Sequence, residues 1–114
     1  FGIYKCNYDS RLDEKVNRYL DKAIALYPHY PEANYEKGLF FLANQDTENA
    51  KSRFVKTVEH DWNHWASHME LGKIAKDNGD WQKADMHFKI VLDLDPQNKV
   101  AKKLLKELQE VSSG

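Results

Sequence analysis

LGKIAKDNGDWQKADMHFKIVLDLDP, residues 71–96, reads as a helix, a tight turn at Asn78-Gly79-Asp80, and a second helix stopped by Asp95-Pro96. The stop is steric, because the residue before a proline is pushed out of the α region. Thirty-four residues earlier the same punctuation recurs in GLFFLANQDTENAKSRFVKTVEHDW. Gly38 matches Gly72, Ala50 matches Ala84, and Phe54 matches Phe88, each at the same offset of 34. Asn44 with Asn78, Asp46 with Asp80, and Asp61 with Asp95 keep that register, and one further step back aligns Pro28 with Trp62 and Pro96. One matched glycine pair is weak evidence. Several matches in one register mark an internal repeat, and the period is that of a helical array.

Each matched position has a physical task in an antiparallel helix pair. Gly38 and Gly72 lie inside helical patterns, where glycine costs about 1 kcal/mol relative to alanine. That cost predicts the close approach of another backbone. Ala50 and Ala84 do the same from the second helix, and Phe54 and Phe88 follow one turn later on the same face. Asn78-Gly79-Asp80 supplies turn chemistry, with Asp80 placed to cap the next helix.

This pattern resembles the tetratricopeptide repeat family. The resemblance rests on Leu71, Gly72, Ala84, Phe88 and Pro96 in one repeat and on Gly38, Phe41, Ala50 and Phe54 in the other, with Trp81 where the family usually has an aromatic residue. The departures are Lys37 for the usual leucine, Thr57 for the usual small residue, and Trp62 for the usual proline. The resemblance covers about residues 12–110. It implies an all-α fold, a right-handed superhelical stack of antiparallel helix pairs with a C-terminal capping helix. The expected divisions are a partial N-terminal repeat at 1–30, full repeats at 31–64 and 65–98, a cap at 99–111, and a flexible tail at 112–114.

Along the chain, residues 1–9 fall in register with the tail of a first helix. Ser10 and Asp13 read as a helix start. Leu12, Val16, Leu20, Ala23, Ile24 and Tyr27 then recur at helical spacing up to Pro28. Pro31 opens the next helix, a position that tolerates proline because its missing N–H has no partner anyway. That helix carries Tyr35, Leu39, Phe40, Phe41 and Leu42 over more than one stripe, so both of its sides are expected to meet something. In the last helix Val100, Leu104, Leu105 and Leu108 form one stripe, and Lys99, Lys102, Lys103 and Lys106 cover the remainder. A polar outer face suits a cap, which keeps the final repeat from exposing its core.

Composition narrows the function. The 114 residues are 41% hydrophobic and 31% charged, which suits one helical domain. No apolar run is long enough for a membrane span or a secretory leader, and a cytoplasmic setting is favoured. The start at Phe1 without methionine leads us to expect an excised or processed fragment. A net charge of −1 gives no electrostatic case for nucleic acid. Cys6 stands alone, so neither a disulfide nor a thiolate metal site is expected, and it reads as apolar filler.

Catalytic chemistry finds little support. His60, His64 and His68 are the sharpest metal candidate, since His64 and His68 are four apart on one helix. They come without HExxH or a cysteine pair, and His68 falls at a family core position, so packing or surface roles are expected. Glu48 and Asp80 sit at helix starts, where capping and the helix dipole account for them. No catalytic residue, metal site or cofactor is expected, and the chain reads as a non-enzyme.

The resemblance implies that the first helix of each repeat lines a concave groove. Candidate contacts there are Glu32, Tyr35, Glu36, Leu39, Leu42 and Ala43, then Ala66, Met69, Glu70, Lys73, Lys76 and Asp77. Tyr35, Leu39, Leu42 and Met69 make an apolar strip, rimmed by the charges of Glu36, Glu70, Lys73 and Lys76. Apolar surface rimmed by charge marks a polypeptide-binding face, although Leu39 and Leu42 are equally readable as packing between helices. Chaperone-binding members of the family use lysine, asparagine and arginine to hold an acidic C-terminal tail. The matching positions here are Tyr35 and Leu39, Glu70, then Val100 and Leu104. Starting from the partial repeat they become Phe1 and Lys5, Glu36, then Ala66 and Glu70. Neither register supplies the clamp.

Trp62 and Trp65 flank the turn between repeats. Trp62 is expected to be buried against Trp65 and the adjacent helix, with a partner anchor as the sharper alternative. The leading expectation is a scaffold that binds a protein or peptide segment. The rivals are self-association through an open N-terminal flank, giving a homo-oligomer, and service as the interaction module of a larger protein or enzyme.

Overall fold

The computed structural model describes residues 10–113, with side chains described for 14–111. The readings of residues 1–9, including Phe1, Lys5 and Cys6, and of the side chains of Ser10, Leu12 and Asp13 lie outside this range. Among the described residues every regular element is helical: α1 (Ser10–Leu26), α2 (Pro31–Ala43), α3 (Thr47–His60), α4 (Trp65–Asp77), α5 (Trp81–Leu94) and α6 (Lys99–Ser113). The last helix runs two residues beyond its expected end at Val111. No described helix is long and apolar enough to cross a membrane.

The chain forms two compact units, Phe1–His60 and Asp61–Gly114. In the first, α2 packs on α3 and α1 packs on α2. In the second, α4 packs on α5 and α5 on α6. Each full repeat is therefore one hairpin with a neighbouring helix against it.

The turns close both hairpins by the same hydrogen bonds. Asp80 N donates to the Ala75 carbonyl at 2.8 Å and Gly79 N to the Lys76 carbonyl at 3.0 Å. Asp46 N to Phe41 O (2.9 Å) and Gln45 N to Leu42 O (3.0 Å) repeat this 34 residues earlier. This helix ending requires a left-handed residue at its centre. Gly79 supplies it with φ 77°, whereas Gln45 adopts φ 62° with a side chain attached. Asp80 then caps α5 by accepting from Lys83 N at 3.2 Å, as its place in the turn predicts, and Asp46 accepts from Asn49 N at 3.3 Å.

The two glycines are explained by rings rather than by backbone. A Cβ on Gly38 would come within 2.5 Å of Phe54 Cε1, and one on Gly72 would collide in the same way with Phe88. Phe54 and Phe88 are fully buried, as are Ala50 and Ala84 one turn earlier. In the second unit Met69, Ala75, Ala84, Phe88, Val91, Ala101 and Leu108 form one core, with Leu92, Leu104 and Leu105 against it. Thr57, in place of a smaller residue, is also fully buried, and its hydroxyl donates to the Arg53 carbonyl at 2.9 Å. That bond within the helix lets a hydroxyl be enclosed without a lost partner.

Candidate functional site

The first helices α2 and α4 carry the candidate contacts, and their surroundings differ. On α2, Tyr35, Leu39 and Leu42 are half-buried and Glu36 is exposed. The Tyr35 ring meets Phe54 at 5.9 Å, which holds its body against the hairpin. Glu32 is exposed and Ala43 half-buried, so α2 keeps an accessible apolar strip edged by carboxylates.

On α4 the apolar member is withdrawn. Met69 is 5% exposed and belongs to the core of the second unit, beneath the surface rather than on it. Glu70 is half-buried and takes Lys73 at 3.4 Å, while Lys76 pairs with Glu107 of α6 at 3.1 Å. Both lysines of this helix face carboxylates, so they offer no uncompensated positive patch. Ala66 is half-buried and Asp77 exposed.

Lys37, which replaces an apolar residue of the family pattern, is 6% exposed. Its ammonium donates to Asn17 Oδ1 and pairs with Asp21 at 2.8 Å, both on α1. It also lies 5.0 Å from the Phe40 and Phe41 ring centres. A buried charge is tolerated only with such partners, and here they come from the helix packed on α2.

The histidines take three different places. His60 stacks on His29 at 4.1 Å in the first unit. His64 is the N-cap of α4, its Nδ1 accepting from Ser67 N at 3.3 Å. His68 points into the second unit with no exposed surface. The i, i+4 spacing of His64 and His68 therefore does not bring their rings to one point. Among the described residues no group of three or more His, Cys, Asp or Glu is gathered as a metal would need.

A tie that the sequence reading missed sits at His68. Its Nε2 contacts the Trp62 carbonyl at 2.9 Å and its Nδ1 contacts His87 Nδ1 on α5 at 3.2 Å. Burial lowers the pKa of His68, partly opposed by the Trp62 bond and reinforced by His64. Burial, then His68 and Lys83, bring His87 down to about 4. The first unit holds the same tie with other chemistry. Asn34 is fully buried, donates to the Pro28 carbonyl at 3.1 Å, and accepts from Arg53 Nη1 on α3 at 3.0 Å. Asn34 and Arg53 precede His68 and His87 by 34 residues, as Pro28 precedes Trp62. A polar residue recurring inside an apolar stripe, 19 positions before another hydrogen-bonding side chain, was the available signal.

Trp62 corrects the expectation that it must be buried against Trp65. It is 58% exposed, and its ring meets His68 edge-on at 4.7 Å. Trp65 is 44% exposed. In the first unit an apolar cleft of about 800 Å³ opens at the α1–α2 turn, lined by Leu26, Tyr27, Pro28, His29, Tyr30 and Pro31.

No family model matches the chain. It is similar to the Anaphase-promoting complex subunit 3 of Schizosaccharomyces pombe, 28% identical over 81 residues. That alignment covers 71% of this chain and spans 12% of the subunit's length. Among solved structures, the Arabidopsis OM64 TPR domain superposes with a TM-score of 0.78 at 22% identity, covering 93% of this chain and 88% of that one. The first TPR of Spaghetti (RPAP3), bound to the HSP90 peptide SRMEEVD, gives 0.78 at 18% identity, covering 93% and 97%. The second TPR domain of human RPAP3, in complex with the HSP70 peptide SGPTIEEVD, gives 0.74 at 21%, covering 85% and 81%.

Proposed function

We propose that this chain, which has the tetratricopeptide-repeat fold, is a non-catalytic scaffold that binds a peptide or partner-protein segment along its first helices. The observation that carries the reading is that two structural neighbours hold peptides, at a coverage of 85% or more of this chain. The accessible strip of Tyr35, Leu39 and Leu42 beside Glu36 supports it, since half-buried apolar side chains edged by charge suit a partner's apolar anchors. Glu70, Lys73 and Lys76 supply polar contacts on α4, and Met69 backs that helix from below.

The ligand differs in charge from the peptides of those neighbours. An acidic tail needs uncompensated cations or amide donors, and the register offers Tyr35, Leu39, Glu70, Val100 and Leu104 instead. Lys73 and Lys76 are already matched to Glu70 and Glu107. A segment with apolar anchors and neutral or basic flanks fits better.

Calorimetric titration with binders from a peptide array tests both statements. Leu39→Asp and Leu42→Asp are expected to keep helicity and to lose at least about tenfold in affinity, some 1.4 kcal/mol. Unchanged affinity in both variants sinks the assignment. SRMEEVD is the charge control, and saturable binding of that peptide would overturn the argument against acidic tails.

Self-association is the second reading, and one observation favours it. Val16 on α1 is 46% exposed, although Ala50 and Ala84 in the same register are fully buried. A second copy covering α1 would enclose it, and a light-scattering mass that rises with concentration would move the assignment there.

A further inference from the structure

We propose that the His68–His87 contact is a proton-sensitive latch on the α4–α5 hairpin, closed while both rings are neutral and released when the pair takes up protons. The geometry sets the proton positions. The Trp62 carbonyl only accepts, so the 2.9 Å contact requires the proton of His68 on Nε2. Neutral His68 then offers Nδ1 as an acceptor, and the 3.2 Å contact requires a proton on His87 Nδ1. The chain from His87 through His68 to the Trp62 carbonyl is complete with no net charge. Its members come from α5, α4 and the turn before α4, so it joins all three.

Added protons undo it in two stages. The first, on His87 Nε2, keeps the N–H···N bond but places a charge beside a ring with no exposed surface. The second, on His68 Nδ1, sets two donors against each other, and the contact is lost. The groups that act on the pair make both stages harder in the folded state. His64 on α4 opposes a charge on His68, and Lys83 on α5 opposes one on His87. From α6, also packed on α5, no group is among the causes of either shift.

The first unit shows the same device without the switch. Asn34 and Arg53 tie the Pro28 carbonyl to α3 through bonds that do not change between pH 4 and 8, because an amide does not titrate and a guanidinium stays protonated. Only the second repeat has a titratable version. Since the folded pKa of His87 lies below its ordinary value of 6.5, the unfolded chain binds more protons in that window. The contribution is present above about pH 6.5 and is lost as the pH falls towards 4.

The test is urea unfolding of the full chain at pH 7 and pH 5, beside a variant carrying His68→Asn with His87→Arg. That variant gives the second repeat the polar pair of the first. The unaltered protein is expected to lose at least about twentyfold more in its folding equilibrium between the two pH values than the variant does, the share of His87 alone. Equal pH dependence in both overturns the proposal. Should the variant fail to fold, imidazole NMR titration of the unaltered chain decides. Both rings titrating below the ordinary histidine range, with the Trp62 amide shifting alongside, is the expected result. Either ring titrating at or above that range overturns it.

Discussion

Asn34 in the first unit and His68 in the second stand at one repeat position, fully buried, and each holds a turn carbonyl on one side and a second-helix side chain on the other. Lys37 and Leu71 form a second such pair. Both are buried, but Lys37 takes Asn17 and Asp21 of α1 as partners while Leu71 needs none. Gln45 and Gly79 form a third, sharing a left-handed turn position with and without a side chain. The two repeats thus keep the geometry of each connection while exchanging its chemistry. What a repeat position demands is a satisfied contact of a given reach, and several residue types meet the demand if their partners change with them.

Changes that move one repeat's chemistry into the other test that lesson. Leu71→Lys is expected to have the largest effect. The positions 34 residues after Asn17 and Asp21 are Lys51 and Val55, so no carboxylate stands in register for the new ammonium. An uncompensated buried charge should cost about 3–5 kcal/mol in urea denaturation, whereas the reverse change, Lys37→Leu, should be neutral or stabilising. Similar costs for the two would break the comparison.

Ala84→Leu and Ala50→Leu come next. Both alanines have no exposed surface, so overpacking should cost about 1–3 kcal/mol in each hairpin. If one proves neutral, the two hairpins do not share a packing register. The smallest effect is expected from Gln45→Gly. Relief of a left-handed residue with a Cβ is worth about 1 kcal/mol, and thermal denaturation should show a rise in midpoint. A fall would mean that the Gln45 side chain contributes more than its conformation costs.

The fold was legible wherever a local rule acts alone. Proline at Pro31 and Pro96, Asp80 as a cap, and the turn at Gly79 depend on residues within a few positions of one another. The strip on α2 was legible in part, because helical spacing names which residues share a side. Met69 was not placed by spacing, since a side chain at a first-helix position goes under or over the surface according to what α5 and α6 bring to it. Trp62 was misread for a related reason. Its size argued for burial, but its carbonyl serves His68 and its ring, edge-on to that imidazole, stays exposed.

An all-α chain of repeats, its period of 34 and its turns could be read from the residues alone, and the two glycines marked a close approach without showing that a ring makes it. These follow from backbone sterics and from matched residues at a fixed offset, which need no knowledge of distant neighbours. The burial of Lys37, the contact of His68 with His87, and the pairing of the α4 lysines came from the packed helices. Those outcomes join residues of different helices. The energy of a buried polar group depends on its partner, and that partner is chosen by how the hairpin closes.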